Sequence, residues 1–210
     1  MQLPEDIINA AHKKMEDYDV EGFVLGGGNL NADIMIVGEA PGEQEAIKGV
    51  PFIGRAGDEL NKQFEYLGID REDVYITSAV RSRPYKWVKT NKKDSGGKRK
   101  ANRKPNQKEI WAHAPILDYQ IKKIAPQLII ALGGVALERL LGKGYKITEV
   151  LGEVVESPVL RAGEDRYEWT VKEYAVFPLY HPAAVFYNPR IKEDIYQSLD
   201  DLKEYISSFH

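Results

Sequence analysis

The sequence predicts an α/β fold: a three-layer α/β/α sandwich around a central, mainly parallel four-stranded sheet. Four short apolar runs rich in β-branched and aromatic residues indicate buried strands at 33–37, 74–80, 127–133 and 174–180. Helical patterns lie between them, and this alternation is typical of a parallel sheet covered on both faces. The 210 residues are expected to form one domain, residues 1–210.

Apolar stripes place the helices. A helix over 56–68 has its apolar face at Leu60, Phe64 and Leu67. A longer helix over 106–124 opens with Asn106 and Glu109, which have the spacing of a capping box. Pro115 predicts a kink or a restart within it.

The C-terminal half contains two further helical patterns and a hairpin. A short helix is expected over 133–142, and a hairpin over 153–172 is inserted before the fourth strand. The last helix, over 189–209, has one apolar face formed by Ile191, Ile195, Leu199, Leu202 and Ile206.

Composition excludes several classes of protein. The chain has no cysteine, so disulfides, thiol nucleophiles and thiolate metal sites are excluded, which suits a cytoplasmic protein. No apolar run is long enough to span a membrane, and the first residues lack the features of a signal peptide. No dinucleotide or P-loop fingerprint is present. We expect a cytoplasmic monomer that has no membrane partner.

The net charge of −3 conceals a strongly basic segment. Residues 81–104 hold eleven Lys or Arg and one acid, Asp94, a local balance of +10. We interpret the part at about 86–104 as an inserted, flexible surface loop. It is either a solvated insertion or a surface that contacts nucleic acid, because phosphates require a basic surface where they lie.

Three unusual loops follow the predicted strands. They read GEAPGEQEA at 38–46, RSRPY at 81–85 and HPAAVFYNP at 181–189. Because ligands bind at the carboxyl ends of parallel strands, these loops should share one edge of the sheet. Taken singly, Glu39 could cap a helix, and His181 before a proline suits a helix N-terminus. Together they predict an active site.

The motifs in these loops resemble the uracil-DNA glycosylase superfamily, and family 4 most closely. The similar segments are VGEAPGEQEAIKGVPFIGRAGDELN, VYITSAVRSRP, IIALGGVAL and LYHPAAVFYNP. The resemblance implies an α/β/α fold and a hydrolase of base-excision repair that cleaves the bond between uracil and deoxyribose in DNA. The target nucleotide must first be flipped out of the stack.

The resemblance also implies roles for particular residues. Glu39, His181 and Glu45 would be catalytic: Glu39 would stabilise the cationic sugar or orient the attacking water, and His181 would donate a hydrogen bond to a uracil carbonyl oxygen. A helix starting at Pro182 would direct its positive end to the same place. The base-binding residues would be Ala40, Gly42, Phe52 and Ser78.

The basic segment supplies the candidate contacts to DNA. We expect it to clamp the phosphates that flank the flipped nucleotide, with an aromatic side chain stacked on a base. The candidate residues are Arg81, Arg83, Tyr85, Lys86, Trp87, Lys98, Arg99 and Lys100.

The sequence departs from the family at two positions, one where the family has an acidic residue and one where it has an amide. Ala46 stands where the family usually has aspartate, and Ser78 where it has an asparagine that pairs with uracil. Both departures leave open an alternative: a non-catalytic member of the same fold that binds nucleic acid or a free base.

A third departure concerns the iron–sulfur cluster that family 4 normally carries on four cysteines. The corresponding positions are His12, Met15, Ser82 and His113, which are not cluster ligands. We expect no cofactor and no metal, and expect packing by a helix that starts near Pro4 to take over the cluster's structural role.

Overall fold

The computed structural model describes residues 1–91 and 96–209, and its strands form two sheets in that part of the chain. The larger sheet has six strands in the order β2-β4-β3-β7-β9-β8, and the smaller has the order β1-β5-β6. The strands are β1 Val20–Glu21, β2 Gly27–Gly28, β3 Ile34–Gly38, β4 Tyr75–Ser78, β5 Arg83–Lys89, β6 Lys98–Asn102, β7 Leu128–Leu132, β8 Val155–Ala162 and β9 Tyr167–Leu179.

Four parallel strands form the centre of the larger sheet. β3 pairs in parallel with β4 and β7, and β7 pairs in parallel with β9. This confirms the predicted fold class, but the sheet is wider than four strands. β2 adds to one edge and β8 to the other, both antiparallel. The predicted hairpin is β8 with the first half of β9, so it continues directly into the fourth strand.

Helices cover both faces of this sheet. They are α1 Glu5–Met15, α2 Glu43–Lys48, α3 Gly54–Leu67, α4 Gln107–Ile124, α5 Gly134–Leu141, α6 Ile147–Val150 and α7 Lys192–Ser207. Alternate residues of β3 point to opposite layers: Ile34 and Ile36 join a core with α3 and α7, whereas Met35 and Val37 join one with α4 and α5. The three-layer arrangement follows from this alternation.

Helix α4 begins with the predicted capping box. The Asn106 side chain accepts a hydrogen bond from the Glu109 backbone N–H at 3.0 Å, and the Glu109 carboxylate accepts one from the Asn106 N–H at 2.7 Å. Pro115 lies inside the continuous helix, so the predicted restart is wrong. Burial of α4 against the sheet and α1 compensates for the missing backbone donor.

The basic insertion is folded where the structure describes it. β5 and β6 form an antiparallel hairpin, and β1 pairs with β5 to complete a small sheet. The flexible loop expected at about 86–104 is therefore wrong for residues 86–89 and 98–102, which are strands; residues 92–95 lie outside the described part. No helix among the described residues is both long enough and apolar enough to cross a membrane.

Candidate active site

A cavity of about 230 Å³ lies at the carboxyl edge of the parallel strands. Three parts of the chain meet there: the loop after β3, the base of the β5–β6 hairpin and the loop after β9. Its lining residues are Glu39, Ala40, Pro41, Pro84, Asn102, Arg103, His181 and Tyr187. The cavity is smaller than the roughly 300–1,000 Å³ of sites for drug-sized ligands. Glu39 and His181, which are 142 positions apart in the chain, thus share one small space.

Glu39 presents an unpaired carboxylate to this cavity. Its backbone is fixed, because the Val80 N–H donates to the Glu39 carbonyl oxygen at 3.0 Å. Among the described residues, no hydrogen bond or ion pair involves its carboxylate. Burial raises the pKa of Glu39, and the positive charge of Lys104 partly opposes that rise. A half-buried carboxylate without a hydrogen-bond partner among the described residues is suited to stabilise positive charge that develops on a bound substrate.

His181 faces the same cavity as a neutral donor. Its Nδ1 accepts a hydrogen bond from the Ala183 backbone N–H at 3.1 Å, so the ring proton must be on Nε2. Burial lowers the pKa of His181 to about 4, so the ring is neutral at pH 7. A short 3₁₀ helix, Pro182–Phe186, begins directly after His181, so the helix expected to start at Pro182 is present but has only five residues. The fixed tautomer therefore makes Nε2–H the donor available to a ligand.

Phe52 lies next to His181 beneath the strand ends. The centroids of the two rings are 5.6 Å apart, and only 6% of Phe52 is exposed. A Cβ added at Gly38, the last residue of β3, would come within 2.5 Å of the Phe52 ring, so glycine is required at that close approach. Phe52 also has a φ of 48°, an uncommon value for a non-glycine residue. Phe52 is not one of the residues that line the cavity, so its contact with a base stays a prediction.

Gly57 of α3 supports the Phe52 backbone. A Cβ at this position would lie 2.1 Å from the Phe52 carbonyl oxygen, so Gly57→Ala must displace the segment that carries the ring. We expect this variant to lose about 1–3 kcal/mol of unfolding free energy, measured by urea denaturation. Gly134→Ala is the matched control, since nothing lies within 4 Å of its added Cβ, and it should be neutral or slightly stabilising. Equal midpoints for Gly57→Ala and the unchanged chain would contradict this account.

Comparisons with known proteins show the family to which the chain belongs. A sequence profile of the uracil DNA glycosylase superfamily matches residues 25–203. The chain belongs to the uracil-DNA glycosylase superfamily. It is 40% identical over 188 residues to the type-4 uracil-DNA glycosylase of Saccharolobus solfataricus, covering 88% of this chain and 76% of that protein. It is 34% identical over 206 residues to that of Sulfurisphaera tokodaii, covering 97% and 83%. With that of Archaeoglobus fulgidus it shares 36% identity over 176 residues, covering 82% and 76%.

Glu45, the second candidate acid of this superfamily member, faces the protein backbone. Its carboxylate accepts a hydrogen bond from the Gly42 N–H, and the N–H groups of Phe52 and Ile53 also act on it. Burial raises its pKa, and these donors oppose the rise. The carboxylate is not part of the cavity lining. Glu45 therefore holds the loop between Gly42 and Ile53 together, and the expected base contact of the Gly42 N–H is wrong because Glu45 occupies that donor.

Ser78 does not replace the superfamily's asparagine. Its hydroxyl donates to the Val80 carbonyl oxygen at 2.7 Å, and the residue is buried outside the cavity lining. The prediction that Ser78 contacts the base is not supported by these contacts. Ala40, by contrast, does line the cavity.

Arg81 is not a DNA contact in this structure. It has no exposed surface, and it donates to the Thr77 hydroxyl and, at 2.9 Å, to the Gln120 side-chain oxygen. Burial lowers its pKa. Arg81 therefore braces the exit of β4 against α4, and its predicted contact with phosphate is wrong.

The other predicted DNA-contact residues divide into those with buried or half-buried side chains and those with exposed side chains. Arg83 is 2% exposed and is bonded to Glu21 and Asn102, so it is mainly a structural residue of the hairpin. Lys100 is half-buried and also contacts Glu21. Tyr85 is half-buried beneath Lys100, whose Nζ lies 4.3 Å from the ring centroid. The remaining four side chains are exposed: Lys86, Trp87, Lys98 and Arg99.

The positions that the resemblance matches to the iron–sulfur ligands of family 4 lie at a packed joint between α1 and α4. The His12 ring stacks on Phe23 at 4.0 Å, and Phe23 lies 5.7 Å from His113. Met15 and Ser82 are buried. In the described part of the chain, no three His, Cys, Asp or Glu side chains converge as metal ligands. The residues do not fit a cluster, because thiolates are absent and an aromatic ring separates the two imidazoles.

Five lining residues were not among the predicted site residues: Pro41, Pro84, Asn102, Arg103 and Tyr187. Asn102 reaches the cavity only because β6 pairs with β5 in a particular register, with Asn102 opposite Tyr85. No local signal marks that pairing. Tyr187 belongs to the HPAAVFYNP motif and is 89% exposed, and a large exposed aromatic beside a candidate catalytic histidine was a usable signal.

Proposed function

We propose that this chain is a hydrolase that excises uracil, or a closely related base, from DNA. The observation that supports this most is the shared cavity of Glu39 and His181, with Phe52 beside the histidine. The relatives named above are type-4 uracil-DNA glycosylases, which agrees with the proposal. Action on DNA in base-excision repair, as a cytoplasmic monomer, is part of the same proposal.

The chemistry needs charge stabilisation at two ends of one bond. As the glycosidic bond breaks, positive charge builds on the sugar and negative charge on the departing base. Glu39 stabilises the sugar or orients the attacking water, and the His181 Nε2–H donates to a base carbonyl oxygen as that oxygen gains charge. A neutral histidine suits this role, because it is a donor without needing to be protonated near pH 7.

Excision itself is tested with oligonucleotides that carry one uracil, single-stranded or paired. Alkali breaks the strand wherever a base has been removed. Strand breaks that depend on the added protein support the proposal. Tight binding of the oligonucleotide without breaks would favour a non-catalytic member of the same fold.

The β5–β6 hairpin supplies the DNA surface in this proposal. Cross-strand register places Trp87 opposite Lys100 and Tyr85 opposite Asn102, so these four side chains share one face of the hairpin. Because Asn102 lines the cavity, this face leads from the cavity outward along the hairpin. An aromatic and basic strip of this kind is suited to a single strand, through stacking and phosphate contacts.

Lys89 and Lys98 lie directly opposite each other near the hairpin end. Neither makes an ion pair within the described residues, and facing like charges destabilise a sheet unless an anion compensates them. We expect the double variant Lys89→Ala, Lys98→Ala to bind single-stranded DNA more weakly. The slope of log K against log salt should become shallower by about 1.4, at roughly 0.7 per phosphate contact, in a fluorescence-anisotropy titration.

The matched control removes two exposed lysines elsewhere, as Lys13→Ala, Lys14→Ala on α1. It changes the net charge by the same amount, so it corrects for long-range electrostatics. An unchanged salt slope in the hairpin variant, or an equal change in both variants, would show that these two lysines do not contact phosphates.

A further inference from the structure

Asn102 lies at the boundary between two cavities. One is the catalytic cavity with Glu39 and His181. The other is a cleft of about 340 Å³, called here the basic cleft, which is lined by Glu43, Arg83, Arg99, Lys100, Ala101, Asn102 and Tyr187. Only Asn102 and Tyr187 line both, among the described residues.

Arg83 determines which way the Asn102 amide faces. The Arg83 Nε–H donates to the Asn102 Oδ1 at 2.7 Å. Since a guanidinium can only donate, the amide oxygen must face Arg83, and the NH₂ group must face away from it. Arg83 is itself nearly completely buried and is held by Glu21, so this orientation is fixed by a rigid partner.

The NH₂ group of Asn102 is directed toward the loop that follows Glu39. Its Nδ2 lies 3.7 Å from the point that a Cβ on Gly42 would occupy. Asn102 is exposed, and no acceptor among the described residues is bonded to this NH₂. A donor held in a fixed orientation without a protein partner, at the rim of an active-site cavity, is available to a ligand.

We infer that Asn102 is a positioning residue that donates a hydrogen bond to the sugar–phosphate unit of the flipped nucleotide. The inference rests on the proposed function. A flipped nucleotide has its base beside His181 and Phe52, its sugar beside Glu39, and its phosphates outside the cavity. The basic cleft, with Arg99 and Lys100, is the phosphate side. The boundary that Asn102 occupies is therefore the place of the sugar and its adjoining phosphate.

The neighbouring side chains favour a sugar–phosphate contact over a base contact. His181, which is expected to meet the base, lines the catalytic cavity from the loop after β9, and Phe52 lies beside its ring; neither residue lines the basic cleft. Asn102 instead adjoins Arg99 and Lys100 on its own strand. Its effect should consequently be the same whichever base is excised, and it should persist when the base is missing.

The test uses a single-stranded oligonucleotide with one tetrahydrofuran abasic analogue, which keeps the sugar and phosphates but lacks a base. The same oligonucleotide with an ordinary thymidine is the reference. Asn102→Asp keeps the oxygen that Arg83 needs but removes the donor. We expect it to bind the abasic oligonucleotide about tenfold more weakly, with less than about a twofold change for the reference.

Two controls separate this role from a structural one. Asn9→Asp makes the same change at an exposed position on α1 and should bind both oligonucleotides like the unchanged chain. The urea midpoint of Asn102→Asp should also stay unchanged, because its contact with Arg83 is retained. If Asn102 only anchors Arg83, the aspartate variant will bind the abasic oligonucleotide normally, which overturns the inference.

The outcome remains distinguishable from failure of the proposed function. An unchanged chain that leaves uracil DNA intact refutes the proposed function, while the abasic comparison still decides the role of Asn102. If the chain excises uracil, Asn102→Asp should lower the single-turnover rate about tenfold for every base that is excised. A loss that appears only with uracil-containing DNA would assign Asn102 to the base and overturn the inference.

Discussion

Replacing Glu39 by glutamine is expected to lower the single-turnover rate of uracil excision by about 10²–10⁴-fold. The substitution keeps the shape of the side chain but removes the negative charge that faces the cavity. No partner among the described residues depends on that charge, so the loss should be confined to the chemical step. The rate is measured with excess protein over a uracil oligonucleotide, followed by alkali cleavage.

The same variant should be more stable than the unchanged chain at neutral pH. Burial raises the pKa of Glu39, so the folded state holds its proton to a higher pH than the unfolded state does. Stability from this group is therefore present below the unfolded pKa and is lost as pH rises through the folded pKa. Glutamine does not ionise, so Glu39→Gln does not lose this stability as the pH rises. Reduced activity together with raised stability would identify a charge retained for function.

The control for this experiment is Glu65→Gln, which neutralises an exposed acid on α3. It should change neither the excision rate nor the urea midpoint. In the unchanged chain the rate should fall as pH drops through the raised pKa of Glu39, at a pH above the ordinary value of 4.5. An excision rate of Glu39→Gln within a factor of three of the unchanged chain would refute the catalytic assignment.

Replacing His181 by alanine is expected to lower the excision rate by about 10²–10³-fold, because the donor to the departing base is lost. His181→Asn should recover part of the rate, since its NH₂ can also donate. The buried ring has a pKa of about 4, so protonation of His181 should produce no change of rate near pH 6.5. The measurement is the single-turnover rate between pH 5 and 8.

His12→Ala provides the comparison, because His12 is an exposed histidine on α1, stacked on Phe23 and absent from the cavity lining. It should excise uracil at the rate of the unchanged chain. If His181→Ala excises uracil as fast as the unchanged chain, the imidazole has no role in the mechanism. A rate that rises or falls about pH 6.5 in the unchanged chain, but not in His181→Ala, would show that His181 keeps its ordinary pKa.

The sequence was sufficient for the central fold because its signals there are local. Each parallel strand is a short apolar run, and the buried face of α3 falls at the predicted stripe. The capping box at Asn106 was also visible as two residues at a fixed spacing. The rule about strand ends placed the loops of Glu39 and His181 at one edge of the sheet, whereas their catalytic roles came from the resemblance to the superfamily.

Other features depend on contacts between distant residues. The composition of the basic segment is the same whether the segment is a solvated loop or a pair of strands in a sheet. Its sheet includes β1, which lies more than 60 positions earlier in the chain. Arg81 has the composition of a phosphate contact, yet Thr77 and Gln120 provide buried acceptors that no spacing rule reveals. Pro115 predicts a break in a helix, but burial on both sides keeps α4 continuous.

The stack of His12, Phe23 and His113 affects the conditions under which the joint between α1 and α4 can assemble. The resemblance to family 4 implies an iron–sulfur cluster at this joint, which would make the joint depend on the supply of iron. Here three rings hold α1 to α4, and none of the 210 residues is a thiol. Chelators or a shortage of iron should therefore leave this corner of the molecule assembled.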